Sequence, residues 1–158
     1  MKTILKTSLI AAILTVTACT HSVSSTETDV PAAASLETAP GMLKVTVDGY
    51  KEQEGVISAA LFNEAGYNGK AAPVRGMSVD VAGESVTLTF QGLAAGEYGI
   101  KLYHDIDKNG EMNTNAFGLP TEPYAFSNNA LGSMGPAKWD AAKFTVTEAG
   151  TVTSISFK

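Results

Sequence analysis

The composition is that of one globular domain. The chain has 158 residues, of which 44% are hydrophobic and 17% are charged, and this balance excludes a disordered polyelectrolyte and a multi-span membrane protein. The formal net charge of −5 argues against a nucleic-acid partner, because phosphate neutralisation needs clustered lysine and arginine. The single cysteine allows neither an internal disulfide nor a multi-thiolate zinc site.

The first 18 residues have the pattern of a secretion signal. Lys2 and Lys6 precede a largely apolar run over residues 8–16. This run is too short for a membrane-spanning helix, which needs about 20 residues, but it suits the hydrophobic region of a signal peptide. We therefore predict that residues 1–18 are removed from the mature protein.

The end of this segment resembles a lipobox. Its sequence is Val16-Thr17-Ala18-Cys19, with the cysteine at the position that a lipoprotein signal peptidase requires. Small residues before a cleavage site also suit an ordinary signal peptidase, and this alternative remains open. We expect acylation of Cys19, which would anchor the protein in a lipid bilayer. Thr20 stands where inner-membrane lipoproteins typically carry aspartate, so the predicted location is the outer membrane of a bacterial envelope, on either face.

The segment after the cleavage site is predicted to be a lipidated cysteine followed by a flexible tether, residues 19–41. Residues 20–41 are rich in serine, threonine, alanine and proline, with few large aliphatic side chains. Such a segment cannot bury enough apolar surface to offset its chain entropy. The folded domain is therefore predicted to span residues 42–158.

Period-two alternation of apolar and polar residues predicts seven strands in this domain. They lie at about residues 43–47, 56–62, 77–81, 86–90, 98–102, 144–146 and 152–157. Gly83-Glu84 predicts a hairpin with a tight turn, and the shift of parity between Val152 and Ile155 predicts a bulge. The continuous apolar run at 56–62 predicts a central strand. The pattern favours an all-β, seven-stranded immunoglobulin-like or transthyretin-like sandwich.

One long loop, at about residues 104–140, interrupts the alternation. Loops of this length are uncommon in compact domains and are usually functional or disordered. This loop contains aromatic and apolar residues, so we expect it to pack on the sandwich as a cap. It is either a structural cover or a binding surface, since loops on a rigid sandwich often carry binding sites. The candidate binding residues are His104, Glu122, Tyr124, Phe126, Ser127 and Asn128.

The start of the loop has oxygen ligands at alternate positions, as in loops that wrap a hard cation such as calcium. The candidate metal ligands are the side chains of Asp105, Asp107 and Asn109, the carbonyl of Glu111, and Asn113. Ala116 stands where an EF-hand needs glutamate, which excludes an EF-hand. A carboxylate from elsewhere, such as Glu122, could complete the site. The alternative is an Asx-rich turn whose side chains bond to their own backbone.

His104 is the candidate catalytic base of a hydrolase. It follows the inward-facing residues of the strand at 98–102, so we expect it at the rim of the core, where a bond to a loop carbonyl is the common outcome. A nucleophilic site would pair it with Ser127 and with Asp105 or Asp140. None of these spacings is diagnostic, because such sites are defined by spatial geometry, and we expect no catalytic residues.

A set of short motifs in and around the loop resembles the signature of the bacterial domain of unknown function 2141 family. The residues that carry the resemblance are His104-Asp105, Asn109-Gly110, Gly118-Leu119-Pro120, Glu122, Tyr124 and Phe126-Ser127-Asn128-Asn129. The similarity covers nearly all of residues 42–158. Asn113 departs from the family pattern, which has aspartate there, so the candidate cation loop has one charge fewer. The resemblance implies a secreted or lipid-anchored β-sandwich and supplies no catalytic residues.

These observations together favour a non-catalytic envelope lipoprotein. Its long loop would bind a protein or saccharide partner, and calcium would be its one cofactor, ordering the loop. Two alternatives remain from the sequence alone: the hydrolase centred on His104, and a structural spacer domain without a ligand.

Overall fold

The folded part of the protein is built mostly of short β-strands. The computed structural model describes residues 40–158, so the predicted signal peptide, Cys19 and nearly all of the tether lie outside the described residues. The strands are β1 Leu43–Asp48, β2 Val56–Phe62, β3 Arg75–Asp80, β4 Ser85–Phe90, β5 Gly96–Asp105, β6 Tyr124–Phe126, β7 Phe144–Val146 and β8 Thr151–Ser156. The short helices are α1 Glu64–Tyr67, α2 Trp139–Ala142 and a 3₁₀ turn at Ser127–Asn129. Within residues 40–158, no helix is long and apolar enough to cross a membrane.

The strands form two sheets that pack face to face. One sheet has the order β4-β1-β8, with β1 antiparallel to β4 and parallel to β8. The other has the order β3-β2-β5-β6, and β7 pairs with the first residues of β5 beside β6. Strand β2 therefore lies between two neighbours, as its continuous apolar sequence predicted. This arrangement confirms a β-sandwich.

The core lies between the sheets and is formed by alternate residues of the strands, as period-two packing requires. Every second residue of β1 is completely buried, and β2, β4 and β5 follow the same alternation. The largest fully buried apolar side chains are Leu43, Val45, Val47, Ile57, Leu61, Leu88, Ile100, Leu102, Val146 and Ile155. Removal of this apolar surface from water is the main favourable contribution to folding.

A second, smaller apolar cluster covers part of the outer face of the five-stranded sheet. Tyr67 of α1 and Trp139 of α2 lie with their ring centroids 5.5 Å apart, and Phe126 of β6 belongs to the same cluster. The hydroxyl of Tyr67 donates a hydrogen bond of 3.0 Å to the carbonyl of Ala137. Both rings lie directly over Gly99 of β5, whose missing side chain leaves space for them.

The number of strands differs from the sequence prediction, because residues 40–158 contain eight strands. The additional strand, β6, lies within the predicted loop and has only three residues. Three residues are too few for alternation to be recognised, and Pro123 precedes them. The loop also contains the 3₁₀ turn and α2, so the predicted structureless segment is wrong in its second half.

The predicted hairpin at Gly83-Glu84 is wrong. Strand β3 pairs with β2 in one sheet, whereas β4 pairs with β1 in the other. Gly83 has a φ of +69°, which supports a turn, but this turn carries the chain across the sandwich. Alternation indicates which face of a strand is buried and does not indicate its partner.

The predicted bulge near the C terminus is also wrong. The pairing of β1 with β8 runs without interruption from Leu43↔Thr151 to Asp48↔Ser156. Val152 points outward and is 46% exposed, while the inward positions before Ile155 are occupied by threonine. Inward and outward residues therefore alternate regularly along β8. The alternation was misread because Val152, an apolar residue, occupies an outward position.

Replacement of Gly99 by alanine is predicted to destabilise the outer apolar cluster. A Cβ atom at this position would lie 2.8 Å from Cδ2 of Tyr67 and 3.1 Å from Cζ3 of Trp139. Overpacking of this kind costs about 1–3 kcal/mol, which urea denaturation would measure as a lower midpoint. The control is Gly76→Ala, because a Cβ atom there has nothing within 4 Å. Equal stability of the two variants would contradict the packing described for Gly99.

Candidate functional site

A wide groove lies on the outer face of the five-stranded sheet, next to the outer apolar cluster. Its floor consists of two rows of outward-facing side chains, each crossing β3, β2, β5 and β6. The paired register places Ser78, Ser58, Tyr103 and Tyr124 in one row and Gly76, Ala60, Lys101 and Phe126 in the other. The β2 and β3 half of the floor is therefore made of small residues, and the β5 and β6 half of large ones. This difference in size makes a depression along the sheet.

The wall of the groove comes from the long loop. Met112, Leu119, Pro120 and Met134 are its larger apolar residues, and the groove has a volume of about 1250 Å³. Small-molecule sites typically have volumes of about 300–1,000 Å³ and mostly apolar linings. Methionine side chains are flexible and adapt to ligands of different shape. The groove is large enough for a small ligand or for part of a larger one.

The rim of the groove carries almost no charge. In residues 112–137 the one charged residue is Glu122, which is buried. Several apolar side chains of this segment are largely exposed, including Phe117 at 89%, Leu131 at 74% and Met134, which is fully exposed. Of these three residues, Met134 lines the groove, and exposed apolar side chains that gather at a groove are typical of a binding surface.

Lys101 is the one charged side chain among the described residues that line the groove. Its Nζ atom donates a hydrogen bond of 2.8 Å to the carbonyl of Tyr67 and lies 4.3 Å from the centroid of the Tyr67 ring and 5.2 Å from that of Phe62. Within residues 40–158, no carboxylate oxygen lies within 4.0 Å of this ammonium group. Burial lowers the pKa of Lys101, because the charged form loses hydration.

The candidate cation loop begins where β5 ends and forms one side of the groove. Asp105, Asp107 and Glu122 each place a carboxylate oxygen within 4.8 Å of the other two. Asp105 and Glu122 are buried and Asp107 is exposed. The sequence proposed Glu122 as a carboxylate from elsewhere, and the structure brings it next to the two aspartates.

The buried carboxylates bind the backbone of the loop. Asp105 accepts hydrogen bonds from the amides of Asn109 (3.1 Å) and Gly110 (2.9 Å). Glu122 accepts from the amides of Ile106 and Asn113, each at 3.0 Å. Bonds between charged and neutral groups are among the stronger hydrogen bonds in proteins. They hold Gly110 and the adjacent Met112 in the groove wall.

The exposed part of the loop is closed by side-chain amides. Asp107 accepts from Nδ2 of Asn113 (2.9 Å) and from Nδ2 of Asn109 (3.0 Å), and these bonds, that from Asn113 first, hold the pKa of Asp107 below its usual value. The amide of Glu111 donates to Oδ1 of Asn109 at 2.7 Å. Each carboxylate oxygen of the cluster thus has a hydrogen-bond donor, and all of them except Oδ2 of Asp107, which accepts two bonds, retain a second lone pair for a cation.

His104 lies inside the core. Its side chain is completely buried, and its ring lies 5.7 Å from that of Tyr50 and 6.3 Å from that of Phe157. Nε2 donates a hydrogen bond of 2.6 Å to the carbonyl of Glu54, a loop residue. Nδ1 has no partner among the described residues. The ring faces the core and has no access to a substrate.

Ser127 is engaged far from His104. Its Oγ atom accepts a hydrogen bond from the amide of Ile100 and donates one to the carbonyl of Ala142. Ile100 and His104 are four residues apart on β5, which corresponds to about 13 Å. Asn128 donates to the carbonyls of Ala141 and Lys143. The side chains of Ser127 and Asn128 thus connect the turn after β6 to α2 and to Lys143, the next residue. Neither side chain forms a nucleophilic pair with His104.

The groove floor was missed by the sequence analysis. Ser58, Ala60, Gly76 and Ser78 are small and chemically inconspicuous, and Lys101 looked like an ordinary outward lysine. Two features of the sequence could have indicated the groove. Residues 112–137 contain one charged residue, Glu122, and the strands β2 and β3 have small residues at their outward positions. Of the predicted binding residues, Tyr124 and Phe126 line the groove, and Glu122 holds its wall.

The family comparison agrees with the resemblance seen in the sequence. The family model described as an uncharacterized protein conserved in bacteria (DUF2141) matches residues 45–154. This match covers most of the chain and nearly all of the described sandwich, so the chain belongs to the DUF2141 family. Comparisons with curated proteins and with solved structures gave no match.

Proposed function

We propose that this protein is a non-catalytic binding module, anchored in the bacterial envelope, that holds its ligand in the groove. The observation that carries this proposal is a groove of about 1250 Å³ with apolar walls and a single charged side chain, Lys101, in its lining. A rigid sheet forms its floor and a loop forms its wall, the arrangement in which sandwich domains commonly bind ligands. We further assign the sandwich to the immunoglobulin-like or transthyretin-like type, and the crossing between β3 and β4 supports this assignment.

The geometry gives less support to the two alternatives. A hydrolase would need His104 and Ser127 within hydrogen-bond reach, but both side chains are buried and engaged elsewhere. A structural spacer needs no exposed apolar groove, and exposed residues such as Phe117 and Leu131 lower solubility unless they serve binding.

A neutral apolar fluorophore tests the proposed binding. N-phenyl-1-naphthylamine is predicted to bind the full chain carrying Cys19→Ser, a form without the thiol to be acylated, and to gain fluorescence saturably. Ala60→Trp fills the centre of the groove floor and should reduce this signal by about tenfold or more. Thr46→Trp is the matched control, because it adds the same side chain to the outer face of the other sheet. Equal signals from the two variants would contradict binding in the groove.

The membrane anchor is proposed to be an acyl group on Cys19. The support is the Val16-Thr17-Ala18-Cys19 sequence, and several acyl chains on one residue give stable anchoring because each buried methylene contributes about 0.8 kcal/mol. We place the protein in the outer membrane because Thr20, rather than aspartate, follows the cysteine.

Metabolic labelling with an alkyne-bearing fatty acid tests this anchor. The wild-type chain, expressed in a bacterium, should carry the label, and Cys19→Ser should not. Adding Ser24→Cys to Cys19→Ser restores a thiol outside the lipobox and should leave the chain unlabelled. Label on that double variant, or none on the wild type, would contradict acylation at a lipobox. Thr20→Asp should shift the labelled chain from the outer to the inner membrane fraction.

We also propose that calcium can bind the acidic loop and order the groove wall. The support is the approach of three carboxylates, from Asp105, Asp107 and Glu122, within 4.8 Å of one another. Hard cations prefer such oxygen ligands, and a site with few charges typically binds calcium with dissociation constants of about 10⁻⁴–10⁻³ M. Asn109 and Asn113 lie next to Asp107 and could add amide oxygens.

Thermal melts with EDTA and then with a calcium series test this part of the proposal. A ligand that binds the folded state at 100 times its dissociation constant adds about 2.7 kcal/mol of stability, so the midpoint should rise by several degrees and saturate. Asp105→Asn with Asp107→Asn should abolish the rise, whereas the exposed control Glu84→Gln should keep it. A midpoint that calcium leaves unchanged would identify the loop as a self-bonded turn.

A further inference from the structure

Lys101 presents a charge that the protein itself does not neutralise. Its side chain lines the floor of an apolar groove, and no carboxylate among residues 40–158 lies within 4.0 Å of its ammonium group. The two other lysines with defined partners, Lys108 and Lys143, pair with carboxylates at the surface. A partly buried ammonium group without a counter-ion is unfavourable unless another group compensates for the lost hydration.

The contacts of Lys101 satisfy only part of its hydrogen-bonding capacity. One N–H group donates to the carbonyl of Tyr67, and the rings of Tyr67 and Phe62 provide cation–π contacts. An ammonium group has three donors, and among residues 40–158 only one of them has an oxygen acceptor. An anion at this point would complete the hydrogen bonds and neutralise the charge.

The rest of the groove lining is mainly apolar. Its polar side chains are the hydroxyl groups of Ser58 and Ser78, which bond to each other at 2.9 Å, and those of Tyr103 and Tyr124. The wall consists of methionine, leucine and proline side chains. A saccharide or a peptide backbone has more polar groups than these hydroxyl groups can satisfy, and burying a polar group without a partner costs free energy. A hydrocarbon chain has no such groups.

We propose that the groove binds a long-chain carboxylate, that is, a fatty acid with its carboxylate at Nζ of Lys101 and its chain beneath Met112 and Met134. This inference rests on the proposed binding function and names the class of ligand. Lys101 fixes the position of the head group, and the methionine side chains adapt to the chain. The site recognises a single negative charge at one end of an apolar body.

Displacement of N-phenyl-1-naphthylamine from the full chain carrying Cys19→Ser tests the inference. Decanoate is predicted to displace the fluorophore at a concentration about tenfold to a hundredfold lower than 1-decanol, because the alcohol can accept a hydrogen bond from Lys101 but carries no negative charge to pair with it. Lys101→Met should remove this preference and leave the affinity for 1-decanol nearly unchanged. The change from decanoate to 1-decanol and the Lys101→Met substitution should therefore not weaken binding additively, since both remove the same interaction. Lengthening the carboxylate by one methylene should tighten binding by about fourfold until the groove is filled.

The controls separate this inference from the proposed function. Lys70→Met removes a lysine outside the groove and should keep the preference for decanoate, and Lys101→Arg should keep most of it. Circular dichroism checks that each variant is folded. If the fluorophore binds but decanoate and 1-decanol compete equally, the fatty-acid inference is wrong and the binding function stands. If an apolar peptide with a free C-terminal carboxylate competes and decanoate does not, the ligand is a peptide. If the fluorophore does not bind, both proposals fail.

Discussion

Strand β5 contributes side chains to both the core and the outer face of its sheet, and the rest of the structure is arranged around it. Its ten residues pair with β2 along one edge and with β7 and β6 along the other. Successive side chains of a strand point to opposite faces. Tyr98, Ile100, Leu102 and His104 therefore enter the core, while Gly99, Lys101 and Tyr103 lie on the outer face of the sheet. Asp105, the last residue of the strand, begins the acidic loop. The core, the outer cluster, the groove floor and the groove wall are therefore fixed relative to one another by one run of chain.

The outer face of β5 explains why a groove exists at all. At Gly99 the sheet is covered by Tyr67 and Trp139, and this cover requires the absence of a side chain. Two residues further along, at Lys101, the cover ends and the groove begins. The loop that could have closed the groove is instead held at its side, because Glu122 binds the amides of Ile106 and Asn113. The open surface follows from these two sets of contacts.

Alternation predicted the parts of this structure that depend on burial alone. It found seven of the strands and the inward direction of His104, since both follow from period two. It could not find β6, which is three residues long, nor the sheet change between β3 and β4, since pairing partners are decided by tertiary packing. The carboxylate cluster could be predicted from the chemistry of cation binding. Asp105 and Asp107 need a further carboxylate to complete a site, and Glu122 is the one acidic residue in residues 112–137 of the same loop. The groove could not be predicted from the sequence. Small residues such as Ala60 form a depression only when neighbouring strands place them side by side, and the strand pairing was not known.

The methionine methyl groups offer the most direct test of whether this protein binds its ligand in the groove. Met112 and Met134 line the groove, whereas Met42 precedes β1 in the other sheet. In a spectrum of the full chain carrying Cys19→Ser, with ¹³C-labelled methionine methyl groups, a titration with decanoate should shift the signals of Met112 and Met134 saturably and leave that of Met42 in place. Signals of Met112 and Met134 that do not move, or that move no more than that of Met42, would contradict binding in the groove.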